Sequence, residues 1–249
     1  MTESSPDFNA FNNSLMIAVP VFNRMGHLLH LLESVRASRD VLHGNLYAFD
    51  DASYEFDPML LRRSLDPKAN MMRFNQHSTS AERAIERIFR FFVQSQEHQH
   101  LALLDSGLIV ADDWLHAAQQ GFSRSSGLLS LLNTPMHHTE SRIGGTPELL
   151  IKQSIGLMGT VWSKPVVVHV LQHVPMSKRY AQDVCQFLRA LIPLCCLLES
   201  RVQHVGVSQQ SLHLKRFEHG VGFAPGNAVA AQILSRETEK IILDLTTRK

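Results

Sequence analysis

The chain has little of what staples or anchors a protein from outside its core. Three cysteines occur in 249 residues, Cys185, Cys195 and Cys196, and no Cys-x-x-Cys pair is among them. That removes the usual signature of a disulfide framework and of a structural zinc site. All three fall in one short apolar stretch; adjacent cysteines on a helix point about 100° apart and do not normally bridge, and reduced, buried thiols are expected. Long apolar runs are missing too. The most apolar late segment, 187–198, is broken by Arg189 and Pro193 and is too short to span a bilayer. Residues 1–13 are polar, without the basic-then-apolar order of a secretory leader, so a soluble, cytoplasmic protein is expected. Charge of one sign is also lacking: 24 Lys plus Arg against 23 Asp plus Glu leave a formal +1. A whole-surface attraction to nucleic acid or anionic lipid is therefore not supported, which leaves local patches. Arg62, Arg63, Arg83, Arg87 and Arg90 form one such excess, read as a solvated face or as a phosphate or nucleic-acid contact.

Two catalytic signatures are absent as well. Histidine is abundant at 14, yet none stands in a helical pair with the intervening acid of a zinc protease; His169 and His173 have the spacing without the Glu. A nucleotidyltransferase would show a Gly-rich phosphate loop after the first strand, and Phe22-Asn23-Arg24-Met25-Gly26 is a poor version of one.

What is present is an ordinary globular balance, 44 % hydrophobic and 19 % charged, with no repeat or low-complexity linker, hence one folded unit. Leu15 to Val21 is a continuous apolar run suited to a buried parallel strand. Residues 27–38 carry an amphipathic helix pattern, and 45–49 read as a second strand. A short helix starts at Asp57 as cap with Pro58 at its first position. Residues 71–74 read as a third strand and 80–96 as a helix capped by Ser80 with one apolar stripe. Residues 100–104 form a fourth strand, after which Asp112 is expected to cap the helix containing Trp114. This alternation predicts an α/β fold with a mostly parallel central sheet flanked by helices, and right-handed crossovers. Ligands then sit beyond the carboxyl ends of the strands.

The second half is less regular. It reads as a strand at 127–132, a polar loop at 134–146, a strand or sharp bend at 154–163, helices at 164–172 and 180–191, a short β-like piece at 201–206, a loop at 220–227 and a terminal helix at 228–246.

Polar motifs follow the strands. Pro20 removes a backbone donor at the end of the first and leaves neighbouring amides free. Asp50-Asp51-Ala52-Ser53 ends the second. Two adjacent carboxylates there need donors such as a base N–H, a hydroxyl or a cation, or else cap the following turn. Leu104-Asp105-Ser106-Gly107 ends the fourth, and a carboxylate on a rigid strand end can hold a cation that bridges a diphosphate.

In order, Val-Pro-Val-Phe-Asn-Arg, Asp-Asp-Ala-Ser, Arg73-Phe74-Asn75, Leu-Leu-Asp-Ser-Gly and Asp-Asp-Trp-Leu resemble the GT-A-fold glycosyltransferases of the inverting family 2 type. Downstream, Gly159 to Ser163 resembles the acceptor-side segment, Gln182 to Arg189 the segment bearing the catalytic base, and Ser200 to Gly206 the late His-Gly motif. The likeness runs from Leu15 to Ser211. It implies a nucleotide-sugar-binding half at about 15–115, an acceptor-binding and catalytic half at about 116–215, and a tail and helix at 216–249. Pro20 and Asn23 would line the nucleotide pocket, with Asn75 beside them, and Asp51 or Asp50 would accept from the base. Arg83 would meet the diphosphate or remain a solvated helix-face residue. Asp105 would stand where the metal-binding acid stands, with His204 as second ligand to Mn2+ or Mg2+, and Asp183 would be the general base. The sequence departs from the pattern twice: the acid-x-acid motif reads Asp105-Ser106-Gly107, and Gln182 replaces the Glu usual before Asp183.

The expected activity is transfer of a sugar from a nucleotide diphosphate sugar, a UDP-sugar by preference, to an acceptor hydroxyl with inversion. The alternative is a catalytically weak GT-A-like binding or scaffold protein. The acceptor expected is a glycan, with a lipid-linked sugar, a protein or a nucleic-acid base left open.

Overall fold

A computed structural model describes residues 8–78, 80–205 and 219–247. A short helix α1 (Phe8–Asn13) leads into β1 (Leu15–Val21), and α2 (Met25–Ala37) returns the chain to β2 (Leu46–Asp50). Helix α3 (Pro58–Ser64) precedes β3 (Asn70–Arg73), and α4 (Ala81–Gln94) precedes β4 (His100–Leu103). Then come β5 (Leu108–Val110), α5 (Trp114–Phe122), β6 (Leu128–Ser130), β7 (Thr139–Ile143), β8 (Leu149–Lys152), β9 (Thr160–Ser163), α6 (Lys164–His173), α7 (Tyr180–Arg189), β10 (Leu194–Leu197), β11 (Val202–His204) and a terminal helix Ala228–Thr247.

Nine strands form one sheet in the order β3-β2-β1-β4-β9-β6-β10-β8-β7, and β5 pairs with β11 apart from it. The four strands of the first half are mutually parallel. Strand β9 runs antiparallel to both β4 and β6, β10 is parallel to β6, and β8 and β7 close the far edge antiparallel. The core lies on both faces, as the unbroken apolar run of β1 requires. Ile17, Val19 and Val21 pack towards α2 and α5, and Met16 and Ala18 towards α4 and α6.

Several local expectations hold in detail. Asp57 caps α3 by accepting from Met59 N, and Ser80 caps α4 by accepting from Arg83 N at 3.4 Å. Others need correction. Asp112 does not cap α5; Asp113 holds that position without a side-chain cap bond, while Asp112 pairs with Arg39 at 2.6 Å. The loop expected at 134–146 contains β7, an edge strand whose polar Glu140, Ser141 and Arg142 are exposed. Cys195 and Cys196 lie on β10, not on a helix, so they face opposite sides of the sheet. All three cysteines are free and buried, and burial pushes the Cys196 thiol up to about 12. Gly206, Ser211 and the other residues expected at 206–218 lie outside the described residues. Among the described residues no helix is long and apolar enough to cross a membrane.

Candidate active site

Because β1, β2 and β4 are parallel neighbours, their carboxyl ends open along one edge. A cavity of about 490 Å3 lies there, lined by Pro20, Asn23, Asp51, Tyr54, His77 and Asp105, together with Arg24, Ser106, Met158 and the first turn of α4. Four sequence-derived positions therefore meet: Pro20, Asn23, Asp51 and Asp105.

The loop after β1 turns through two left-handed residues, Asn23 (φ 56°) and Arg24 (φ 54°), a conformation Asn tolerates better than most residues. Asn23 is buried, and its backbone N–H donates to Ser53 Oγ at 2.9 Å. Its side-chain oxygen accepts from Tyr54 N (3.1 Å) and Glu55 N (3.2 Å). One side chain thus joins the loops after β1 and β2, and the cavity wall depends on it. Arg24 lies exposed on that wall.

The two aspartates divide their work. Asp50 is fully buried and lies outside the cavity lining. It accepts from Ser53 N at 2.9 Å and lies 3.5 Å from Arg73 Nε, closing the turn in which Ala52 takes φ 58°. Asp51, 2 % exposed, lines the cavity, but protein donors hold its carboxylate. Ser78 N donates at 3.0 and 3.1 Å, Ser78 Oγ donates as well, Arg87 Nη1 lies at 2.9 Å, and His77 Nδ1 lies 2.8 Å from Oδ2. Its charge is balanced by Arg87 rather than left free for a ligand.

Aromatic rings surround this point. His77 stacks on Phe22 with centroids 3.8 Å apart, and Tyr54 meets the same Phe22 edge-on at 5.8 Å. Tyr54 is 77 % exposed at the cavity mouth. Rings placed so offer a flat apolar partner to a planar group such as a nucleobase. Sequence reasoning did not assign His77, Ser78, Tyr54 or Arg87 to the site. The available signal was topological: the loop after a third parallel strand opens on the same edge as those after the first two.

On the opposite wall Asp105 accepts from Gly107 N at 2.6 Å, which shapes the turn into β5 and occupies one carboxylate oxygen. His204 ends β11 opposite Leu108 of β5, outside the cavity lining. Among the described residues no three His, Cys, Asp or Glu side chains gather into a metal-holding group. A divalent cation needs several oxygen ligands, and a lone, half-engaged carboxylate does not make such a site.

Three other positions stand apart from the cavity. Asn75 and Arg83 are exposed and outside its lining; Arg87, one helical turn beyond Arg83, is the arginine that reaches inward. Asp183 lies in the first turn of α7 and accepts from Ser177 Oγ, also outside the lining. Helix α7 leads into β10, which has the same direction as β6 and β4, so the Asp183 end of the helix faces the edge on which the cavity opens.

No family model matches the sequence, and no curated protein matches it. Solved structures do. Staphylococcus aureus TarS 1-349 in complex with UDP-GlcNAc superposes with TM-score 0.56 at 12 % identity, covering 76 % of this chain and 57 % of that one. The mannosyltransferase PcManGT from Pyrobaculum calidifontis, in complex with GDP-Man and Mn2+, gives 0.56 at 13 % identity and covers 94 % and 79 %. The chain has a GT-A fold. It spans less than two thirds of the TarS 1-349 structures it resembles, 57 % to 59 %. Within the GT-A fold the cavity occupies the carboxyl edge of the parallel strands, where open α/β sheets bind their ligands.

Proposed function

We propose that the chain is a glycosyltransferase that takes a sugar from a nucleotide diphosphate sugar, UDP-linked by preference, and passes it with inversion to an acceptor hydroxyl. The observation that carries this reading is the meeting of Pro20, Asn23, Asp51 and Asp105 around one cavity at the strand ends of a GT-A fold. The rings of Phe22, His77 and Tyr54 supply the stacking surface for the base, and Arg24 supplies a cation in the lining for the diphosphate.

In the reaction, the acceptor oxygen attacks the anomeric carbon from the face opposite the diphosphate. The new C–O bond forms as the bond to the leaving phosphate oxygen breaks, and the nucleoside diphosphate departs with that electron pair. The acceptor proton passes to the Asp183 carboxylate, which Ser177 holds by its hydroxyl. Asp105 alone does not form a site for a divalent cation; a cation carried on the diphosphate itself would meet Asp105 first.

The partly engaged acid at Asp105 and the protein-bound Asp51 also favour a second reading, a GT-A-like protein that binds nucleotide sugars with little turnover. Calorimetry with UDP and GDP, with and without Mn2+, followed by donor-hydrolysis assays on wild type and Asp183→Asn, separates the two. The enzyme reading expects binding, and hydrolysis that falls about 100-fold or more in the variant, the usual weight of a general base. Binding without hydrolysis selects the second reading, and absence of nucleotide binding sinks both. Full activity in Asp183→Asn removes that residue as the base.

A further inference from the structure

A second and larger concavity, about 730 Å3, lies away from the strand-end edge, between α7 and the segment that follows β8. Its floor is apolar and fixed. Ile155 and Cys185 are 4 % and 5 % exposed, and the Cys185 thiol donates to Ile155 O at 3.1 Å, tying the segment to the helix. Its rim is polar but carries almost no net charge. Gln153, Gln182 and Gln186 are exposed around it, the last two one helical turn apart on the same face. Among the described residues the side chains of Gln153 and Gln186 make no hydrogen bond. Gln182 accepts from Arg179 Nε at 2.6 Å and so keeps its NH2 group as a donor. His137 and Ser154 add a hydroxyl–imidazole pair at 2.8 Å. The single ionised side chain of the lining, Arg189, is paired with Glu140.

This composition selects a ligand class. An anionic ligand would meet a cation already neutralised, and an apolar one would strand the carboxamides. Carboxamides offer a donor and an acceptor side by side, the pattern that vicinal hydroxyls complete, while the apolar floor of Ile155 and Cys185 suits the C–H face of a sugar ring. The site also lies along the helix that bears Asp183: Gln186 stands one turn beyond Gln182, and Gln182 lies in the first turn, adjacent in sequence to Asp183.

We propose that this cavity holds an uncharged oligosaccharide stretch of the acceptor, laid along α7 so that its end approaches Asp183. The inference rests on the glycosyltransferase reading above and gives that reading an acceptor class.

The test titrates the full chain, without donor, with cellotetraose, maltotetraose, mannotetraose and N-acetylchitotetraose, and with a hyaluronan tetrasaccharide as the charged counterpart. Saturation-transfer NMR and calorimetry are the readouts. At least one neutral tetrasaccharide is expected to bind, and the double variant Gln153→Leu/Gln186→Leu to weaken it roughly tenfold, the loss of two hydrogen-bonding side chains. UDP and GDP affinities of that variant are expected to stay within about twofold of wild type, since neither residue lines the nucleotide cavity. Binding by none of the neutral probes, binding by the anionic probe alone, or binding unchanged in the double variant each overturns the proposal. Nucleotide binding without glycan binding would leave the enzyme reading standing and remove only this site. Glycan binding lost in the variant, in a protein that binds no nucleotide, would do the reverse.

Discussion

The two halves of the sheet are built on different terms. From β1 to β4 every strand is parallel to its neighbour and flanked by helices, and β1 is buried almost throughout. From β6 onward directions mix, and the sheet ends in the exposed β7. The first half places four loops on one edge and builds a polar cavity from them. The second builds a concavity of about 730 Å3 on the flank of α7, closed by the segment that follows β8. A parallel half standardises where a ligand goes, whereas an irregular half leaves that to local shape.

This difference can be broken at the level of stability. Ile17 is fully buried in β1 between β2 and β4, so Ile17→Ala is expected to cost about 2–5 kcal/mol through the cavity it leaves. Ile143, half-buried at the end of edge strand β7, is expected to cost under about 1 kcal/mol on the same change. Denaturant midpoints at unchanged slope measure both; equal losses would erase the contrast.

A smaller effect sharpens the contrast at the site. Arg87 neutralises buried Asp51 from a partly exposed position, with Ser78 and His77 sharing the load. Replacing it by Met is expected to lower stability by about 1–2 kcal/mol, discounted for exposure, and to weaken UDP binding several-fold as the cavity wall loosens. Adding Asp51→Asn should recover part of the stability but not the binding, a non-additivity that a double-mutant cycle reads directly. Additive losses in both would detach Asp51 from Arg87.

The smallest expected effect is a pH slope belonging to the first half. Burial lowers the imidazoles of His98 and His100, which sit at the entrance to β4. The folded state therefore prefers them neutral, and the unfolded chain binds more protons below its own value near 6.5. Their contribution is full above about that pH and is lost as the pH falls through the lowered folded values. Melting temperature is expected to fall between pH 7.5 and 5.5, and the slope to flatten in His98→Gln/His100→Asn. An unchanged slope would move the acid sensitivity elsewhere.

The sequence made the first half legible because burial on both faces imposes unbroken apolar runs, and caps such as Asp57 and Ser80 mark where helices start. It misread the second half for equally physical reasons. Strand β7 faces solvent and so carries Glu, Ser and Arg where periodicity looks for apolar residues. Strand β10, Leu194–Leu197, is too short and too uniformly apolar to distinguish from the end of a buried helix. At the site, the strand-end acids were readable, but their division of labour was not. That Asp50 closes a turn is a contact with Ser53 only three residues on, within reach of a local pattern; that Asp51 is held by Ser78, His77 and Arg87 follows from contacts 26 to 36 residues apart, which no local pattern carries.

Strand β7 has one more effect, on the behaviour of many copies rather than one. The rim of an open sheet is a template on which another chain can add a strand and begin to aggregate. Here that rim alternates Glu140 with Arg142 and is interrupted by a register shift between Thr139 and Ser141. A strand arriving from a second molecule would find charged side chains and a kinked ladder in place of a straight apolar one. The polar rim that hid β7 from the sequence is thus also a guard against fibre growth, and Val at positions 140 and 142 would strip its charges and leave only the bulge to oppose an incoming strand.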